Sequence, residues 1–343
     1  MNLHESSLTL AFCMQIAIGV LGNSFLICLF TVTVLSGQRM RPIDMILNQI
    51  AWANSSMIIS KSIPQTLVAM NLKNFLNVYG CKFFFYLHRV SRGLSLSMTC
   101  LLSSLQAITI SSRSSRWAEF RDKIPQYMIP TCSLSWAFHL LLNSIVLEKV
   151  KGPRKSRNIS NVLPYGYCST SEATTVSTTL FIVVVSFPDV VCVWIMVFTS
   201  GYMVWLLYKH HKEVQHIHMA NLSPRSSPEI SATQSILLLV STFVSFYSSN
   251  SILAAYIHLR KPGLWLVHSS TFLAACFPTV SPFVLLSTDS QLQKYSALFW
   301  RRNKPRFLPF SESLVPNQES DSLISSLLVE CLIFNLSVIR FLL

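Results

Sequence analysis

Cys81-Lys82-Phe83-Phe84-Phe85-Tyr86-Leu87-His88-Arg89-Val90-Ser91-Arg92-Gly93-Leu94-Ser95-Leu96-Ser97-Met98-Thr99-Cys100-Leu101-Leu102 is the stretch that decides how this chain folds. Continued to Ile110, it is an apolar run long enough to cross a hydrocarbon core of about 30 Å as a helix. Yet it carries two arginines. Six further runs of similar character lie around it, at about 8–35, 43–70, 125–147, 177–207, 231–257 and 264–287, with this one at 81–110. Lipid cannot satisfy free backbone groups, so such runs must be helical, and they are too long for the strands of a membrane barrel. The expected fold is an all-α membrane protein, a seven-transmembrane helix bundle occupying 1–307, followed by a tail at 308–343.

Composition supports this reading. Of 343 residues, 51% are hydrophobic and 12% charged, the latter roughly half the share usual for a soluble domain. The formal net charge is +13, but no nucleic-acid motif or aromatic-basic patch accompanies it. The basic residues lie mainly in short loops between apolar runs, where they act as orientation signals and contacts for anionic headgroups. With the N-terminus outside and the C-terminus inside, the inner segments hold more Lys and Arg than the outer ones, although the outer segment 148–176 is itself basic. Asn158-Ile159-Ser160 in that segment is a glycosylation sequon, usable only on the lumenal side. The N-terminus lacks the basic flank of a cleavable signal peptide and reads as a retained first span.

Several runs contain proline: Pro64, Pro130, Pro188, Pro278 and Pro282. In a membrane each makes either a kink whose freed carbonyl finds a neighbour or a simple packing irregularity. Residues 290–300 form a candidate interfacial helix, with Leu292, Tyr295, Leu298 and Phe299 on one face. Arg301, Arg302, Lys304 and Arg306 would then meet the inner leaflet; a disordered basic tail is the other reading.

Cys81 opens the third run on the outer side and Cys168 lies in the long outer segment, so a Cys81–Cys168 disulfide is expected in an oxidising compartment. Arg89 and Arg92 lie about 12 and 16 Å below Cys81 along a helix, spaced to share one face. A central arginine costs about 2.5–3.5 kcal/mol on insertion scales, so both must face the bundle interior. Asp189 is the main intramembrane acid, with Glu172 in the outer segment. Two readings of the arginines stand. They bind backbone carbonyls, Asp189 and trapped water, or their surplus charge meets an anionic ligand. Lys61 snorkels outward or binds ligand. His139 and Asn143, four residues apart, make an interhelical hydrogen bond or a ligand contact. The chain shows no metal-ligand pair of the His-x-x-x-His type within a run, no glycine-rich phosphate loop, no nucleophile elbow and no paired intramembrane acids. This argues against an enzyme, a metal site, a cofactor or a proton-coupled transporter. His210, His211, His216 and His218 read as a solvated inner segment.

Several strings resemble the vomeronasal type-1 receptors, a family of pheromone receptors. They are Gly19-Val20-Leu21-Gly22-Asn23, Arg41-Pro42-Ile43-Asp44, Ile63-Pro64-Gln65-Thr66, Gly80-Cys81-Lys82, Tyr86 through Gly93, Thr99 through Ser103, Gln106 through Ser111, Ser114-Ser115-Arg116-Trp117, Asn221 through Glu229, Ala232-Thr233-Gln234 and Ser281-Pro282-Phe283-Val284. The likeness covers about residues 10–307. It implies a G-protein-coupled receptor at the plasma membrane of vomeronasal sensory neurons, coupled to Gi/Go-type heterotrimeric G proteins and answering a small-molecule pheromone. On that reading the ligand-lining candidates are Phe84, Phe85, Arg89, Arg92, His139, Asp189, Phe243, Phe246 and Tyr247. The G-protein contacts are Arg113, Arg116, Trp117, Lys209 and Lys212. The chain departs from rhodopsin-like receptors, with Gln106-Ala107-Ile108-Thr109-Ile110 where Asp/Glu-Arg-Tyr would end the third run. It also continues past Phe310 into an apolar tail, and has Ser231 where the family carries an arginine. A bitter-taste-like receptor, or a receptor-like chain no longer competent to signal, are the competing readings.

Overall fold

The computed structural model describes residues 3–37, 40–69, 77–111, 115–151, 164–165, 168–170, 175–217, 228–260, 264–288, 292–294 and 296–297. Among these, seven long helices run α1 (Leu3–Leu35), α2 (Pro42–Ala69), α3 (Val78–Ser111), α4 (Ser115–Asn143), α6 (Thr175–Ile217), α7 (Pro228–Arg260) and α8 (Leu264–Thr288), with a single-turn helix α5 (Val146–Lys149). A small sheet joins β1 (Val150–Lys151), β2 (Pro164–Tyr165) and β3 (Cys168–Thr170) in the order β1-β3-β2, both pairs antiparallel. The long elements are all helical, as expected, and part of the segment expected as loop is a short three-stranded sheet. Strands of two and three residues carry no periodicity for a sequence reading to detect. The candidate helix at 290–300 is described only at 292–294 and 296–297, and the tail at 308–343 lies outside the described residues.

Helix starts follow from local chemistry. Pro42 takes the first helical position of α2, where its missing N–H costs nothing. Asp44 reaches back to the Arg41 backbone N–H at 3.3 Å and pairs with the Arg41 guanidinium at 2.6 Å. At α3, Asn77 Oδ1 accepts the Gly80 N–H at 2.8 Å, an N-cap.

Among the described residues, five helices contain a segment long and apolar enough to cross a membrane: Thr9–Leu35, Val78–Ser111, Val183–Lys209, Ile236–Leu253 and His268–Ser287. The other two long helices have different surfaces. α2 turns Asp44, Asn54, Ser60, Ser62 and Gln65 inward, all buried, so its polar residues lower its hydropathy without meeting lipid. α4 exposes Tyr127, Ile129, Leu134, Phe138 and Leu141. It begins ten residues before the expected 125, because Pro125 sits inside the helix rather than at its start. α6 likewise runs past the expected 207 to Ile217; its 43 residues make it about 65 Å long. Its apolar side chains point outward: Phe187 (66% exposed), Trp194 (73%) and Phe198 (75%) have no protein to cover them. A continuous exposed apolar belt of this kind suits hydrocarbon, not water.

α3 is the hub, packing against α2, α4, α6 and α7, while α8 closes the bundle against α1, α2 and α7. The interior is polar at chosen points. Hydroxyls of the buried Thr33, Thr66 and Thr99 and of the exposed Thr31 and Thr109 bond the carbonyl one turn earlier, which hides the exposed ones from lipid. Asn54 on α2 joins α3 and α8, accepting from Ser95 Oγ and donating to Ser281 Oγ, each at 2.9 Å. Pro282 has no N–H for the Pro278 carbonyl one turn before it. Asn23 on α1 takes its place, donating to that carbonyl at 2.8 Å and to Gly19 O at 2.7 Å. The proline in α8 is thus a kink with a specific partner.

Asn23→Leu leaves the Pro278 carbonyl with only a 3.5 Å contact from Ser281, a loss of about 1–3 kcal/mol. Thermal unfolding of the purified chain should show a lower Tm. Adding Pro282→Ala, which restores a backbone donor, should recover part of it; no recovery would remove the proline from the explanation.

Candidate functional site

Arg89 and Arg92 share a face of α3, as their spacing requires, and that face meets α4 and α6. Together with Gly93, His139, Leu142, Asn143, Val185 and Asp189 they line a small cavity. Its volume is about 10 Å³, room for about one water. In this packing the site is closed.

Each polar group in it has an assignable role. Arg92 Nη1 lies 3.3 Å from Asp189 Oδ2. The same carboxylate oxygen accepts the Tyr247 hydroxyl at 3.0 Å, and the Arg92 guanidinium sits over the Tyr247 ring at 4.8 Å from its centroid. One arginine thereby ties α3 to α6 and α7. The two side chains are 25% and 11% exposed, so the protein does not fully enclose the pair. Arg89 Nε donates to Asn143 Oδ1 at 3.2 Å, and Asn143 Nδ2 donates back to the His139 carbonyl at 2.8 Å. The His139 ring bonds Ser97 Oγ through Nε2 at 2.7 Å. Tyr86 OH donates to the Leu140 carbonyl at 3.0 Å. A second set of bonds therefore ties α3 to α4.

Gly93 makes this geometry possible. A Cβ there would collide with the His139 ring, so α4 approaches α3 closely only because position 93 has no side chain.

Of the nine ligand-lining candidates, the structure gathers Arg89, Arg92, His139 and Asp189 at the cavity, with Tyr247 bound to two of them. Phe243 stacks on Tyr247 at 5.7 Å and meets Phe277 edge-on at 4.6 Å. Phe246 is buried in the hydrophobic core. Phe84 packs edge-on against Phe83 at 5.5 Å, and neither it nor Phe85 lines the cavity. Two of the four phenylalanines lie on α3 and two on α7, and sequence spacing does not tell a core ring from a lining ring. Asn143 was legible through its spacing from His139. Ser97 and Val185 gave no sequence signal.

Cys81 is disulfide-bonded, while Cys13, Cys28, Cys100, Cys132, Cys192 and Cys276 keep their thiols. Cys168 opens β3, which pairs with β1, and β1 packs on α3. At the other end of the bundle, Ser111 and Tyr202 hydroxyls bond at 2.9 Å, Tyr202 stacks on Trp205 at 6.0 Å, and Lys209 lies 5.8 Å over the Trp205 ring. Of the expected G-protein contacts, Arg113 lies outside the described residues, Arg116 and Trp117 stand in the first turn of α4, and Lys209 and Lys212 in the last turns of α6, both exposed. Asn158 and Glu172 lie outside the described residues.

An apolar-faced helical bundle with a charged interior is the build of a membrane protein. The model of the "Vomeronasal organ pheromone receptor family" matches residues 6–297. The chain is 43% identical over 287 residues to vomeronasal type-1 receptor 1 of Homo sapiens, covering 83% of this chain and 81% of that one. It is 42% identical over 289 residues to vomeronasal type-1 receptor 4 of Homo sapiens, covering 84% and 96%. Vomeronasal type-1 receptor 90 of Rattus norvegicus is 32% identical over 282 residues, covering 82% and 90%. The chain belongs to the vomeronasal type-1 receptor family, whose members are membrane receptors.

Gly93→Ala should force α4 away from α3 and cost about 1–3 kcal/mol, read as a lower Tm. Combined with His139→Ala the loss should shrink, because the ring that a Cβ would strike is gone. Additive losses would show that the close approach is not the cause.

Proposed function

We propose that this chain is a G-protein-coupled chemosensory receptor of vomeronasal sensory neurons, sited in the plasma membrane and answering a small-molecule pheromone through Gi/Go-type G proteins. The observation that carries the reading is the Arg92–Asp189–Tyr247 tie, which joins α3, α6 and α7 at one point inside a bundle of this family. The N-terminus is outside, so the tie lies in the outward-facing half. A ligand that engages Arg92 or Asp189 competes with the bonds holding the three helices together and favours a second packing. To move such an equilibrium from 1:99 to 99:1 the ligand must prefer the open packing by about 5.5 kcal/mol. Arg89, His139, Phe84, Phe85, Phe243 and Phe246 complete the ligand region or support it.

The disulfide of Cys81 is made with Cys168, holding the β1–β3 sheet over the outer mouth. Asn158 in the same segment carries a glycan. On the inner side, Arg113, Arg116, Trp117, Lys209 and Lys212 face the G protein. The Ser111–Tyr202 bond links α3 and α6 two positions before Arg113 in the chain, so separation of these helices opens that surface.

In cells expressing the full chain with Gi/Go, a screen of small organic molecules read by guanine-nucleotide exchange should yield a responder. Against that responder, Arg92→Ala and Asp189→Asn should each shift the half-maximal concentration by about tenfold or more at normal surface expression. An unchanged response in both would remove the tie from the ligand site. Cys81→Ser should reduce surface expression, and Cys168→Ser should match it; unequal losses would break the assigned pairing.

A further inference from the structure

The sequence places Lys61 near the outer end of α2, where outward snorkelling is the simple expectation. The structure turns it inward. Met57, Lys61 and Gln65 are spaced four residues apart and stack on one face of α2. Met57 is buried and its carbonyl faces His88 on α3. Gln65 is buried and its amide bonds the His268 ring on α8 at 2.7 Å. Lys61 lies between them, half-buried, on the side turned to α3 and α8, within electrostatic reach of Arg92 and His88. Among the described residues no carboxylate is in ion-pair contact with Lys61, and Arg92 is paired with Asp189 alone. His88 Nδ1 is buried and has no hydrogen-bond partner among them. Among the described residues, three cations (Lys61, Arg89 and Arg92), a ring nitrogen and one carboxylate thus share a low-dielectric region with a positive balance, a strongly unfavourable state for an empty site.

We infer that Lys61 and Arg92, with His88 beside them, form the seat for the anionic group of a small organic carboxylate, placed between α2 and α3 on the side of Arg92 away from Asp189. The inference rests on the ligand region proposed above and adds a residue and a chemical class to it. The carboxylate supplies the missing negative charge, accepts charge-assisted hydrogen bonds from the Lys61 ammonium and the Arg92 guanidinium, and loosens the hold of Arg92 on Asp189.

The probe is cyclohexanecarboxylate, with its neutral isostere cyclohexanecarboxamide as control, added to the purified full chain in lipid nanodiscs. Tryptophan fluorescence reports Tm. The carboxylate should raise Tm saturably by about 2–4 °C and the carboxamide should not. Lys61→Met should weaken the carboxylate effect by about tenfold or more in half-saturating concentration, while Lys61→Arg should keep most of it. Equal shifts from acid and amide would overturn the inference without any variant, and so would a full response in Lys61→Met. Chloride reproducing the whole shift against gluconate at equal ionic strength would assign the seat to an inorganic anion and overturn the organic ligand. The readout needs no G protein, so its failure is separate from a failure of signalling.

Discussion

Hydrocarbon offers no hydrogen bonds, and a polar side chain inside the bundle must find its partner in the protein. This constraint bears hardest on Arg92. It sits on the most connected helix, and its charge is met by Asp189 on α6 and by the face of Tyr247 on α7. The same demand explains Asn23 at the proline-freed carbonyl, Asn54 between two serines, and the threonine hydroxyls folded back on their own helices. The lipid-facing surfaces of α4 and α6, by contrast, are left to phenylalanine, tryptophan and aliphatic residues.

A tie across three helices is also a latch. The Arg92–Asp189 distance of 3.3 Å is longer than the 2.7–2.9 Å of a tight charge-assisted bond, and the cavity beside it is too small for an organic ligand in this packing. On the proposed reading, a ligand must therefore open the latch to be held. The Arg89–Asn143 and Ser97–His139 bonds join α3 to α4 independently of it, so α4 can stay with α3 while α6 and α7 move. α6 is one unbroken helix of 43 residues, and Tyr202, Trp205 and Lys209 form one stacked series in its second half.

Much of this was legible in the sequence because membrane periodicity is coarse and strong. The apolar runs, the inward face of Arg89 and Arg92, and Asp189 as the available acid all follow from length, spacing and the cost of charge in lipid. What escaped has definable causes. α4 starts at Ser115 because a helix can continue through a charged segment and past Pro125; hydropathy marks the hydrocarbon, not the helix. α6 overruns its apolar stretch for the same reason. The short sheet is too small to leave a pattern. Lys61 faces inward because Met57 and Gln65 on the same stripe are both engaged, a contact no one-dimensional reading contains. Phe246 packs in the core and Phe243 against Tyr247, a distinction that spacing along one helix does not carry. Gly93 could be recognised only as part of a family string, since the His139 ring that requires it lies on another helix.

The central claim is that Arg92 and Asp189 hold α3 and α6 together as a pair, not as two independently tolerated polar residues. A thermodynamic cycle with Arg92→Met, Asp189→Leu and both together, followed by thermal unfolding in lipid nanodiscs, measures that directly. Each single change should destabilise by stranding a charge, and the double variant should be more stable than the sum of the singles predicts, with a coupling energy of about 1 kcal/mol or more. Additive losses, within about 0.3–0.5 kcal/mol, would mean that the two side chains do not act on each other and that the latch is not a latch.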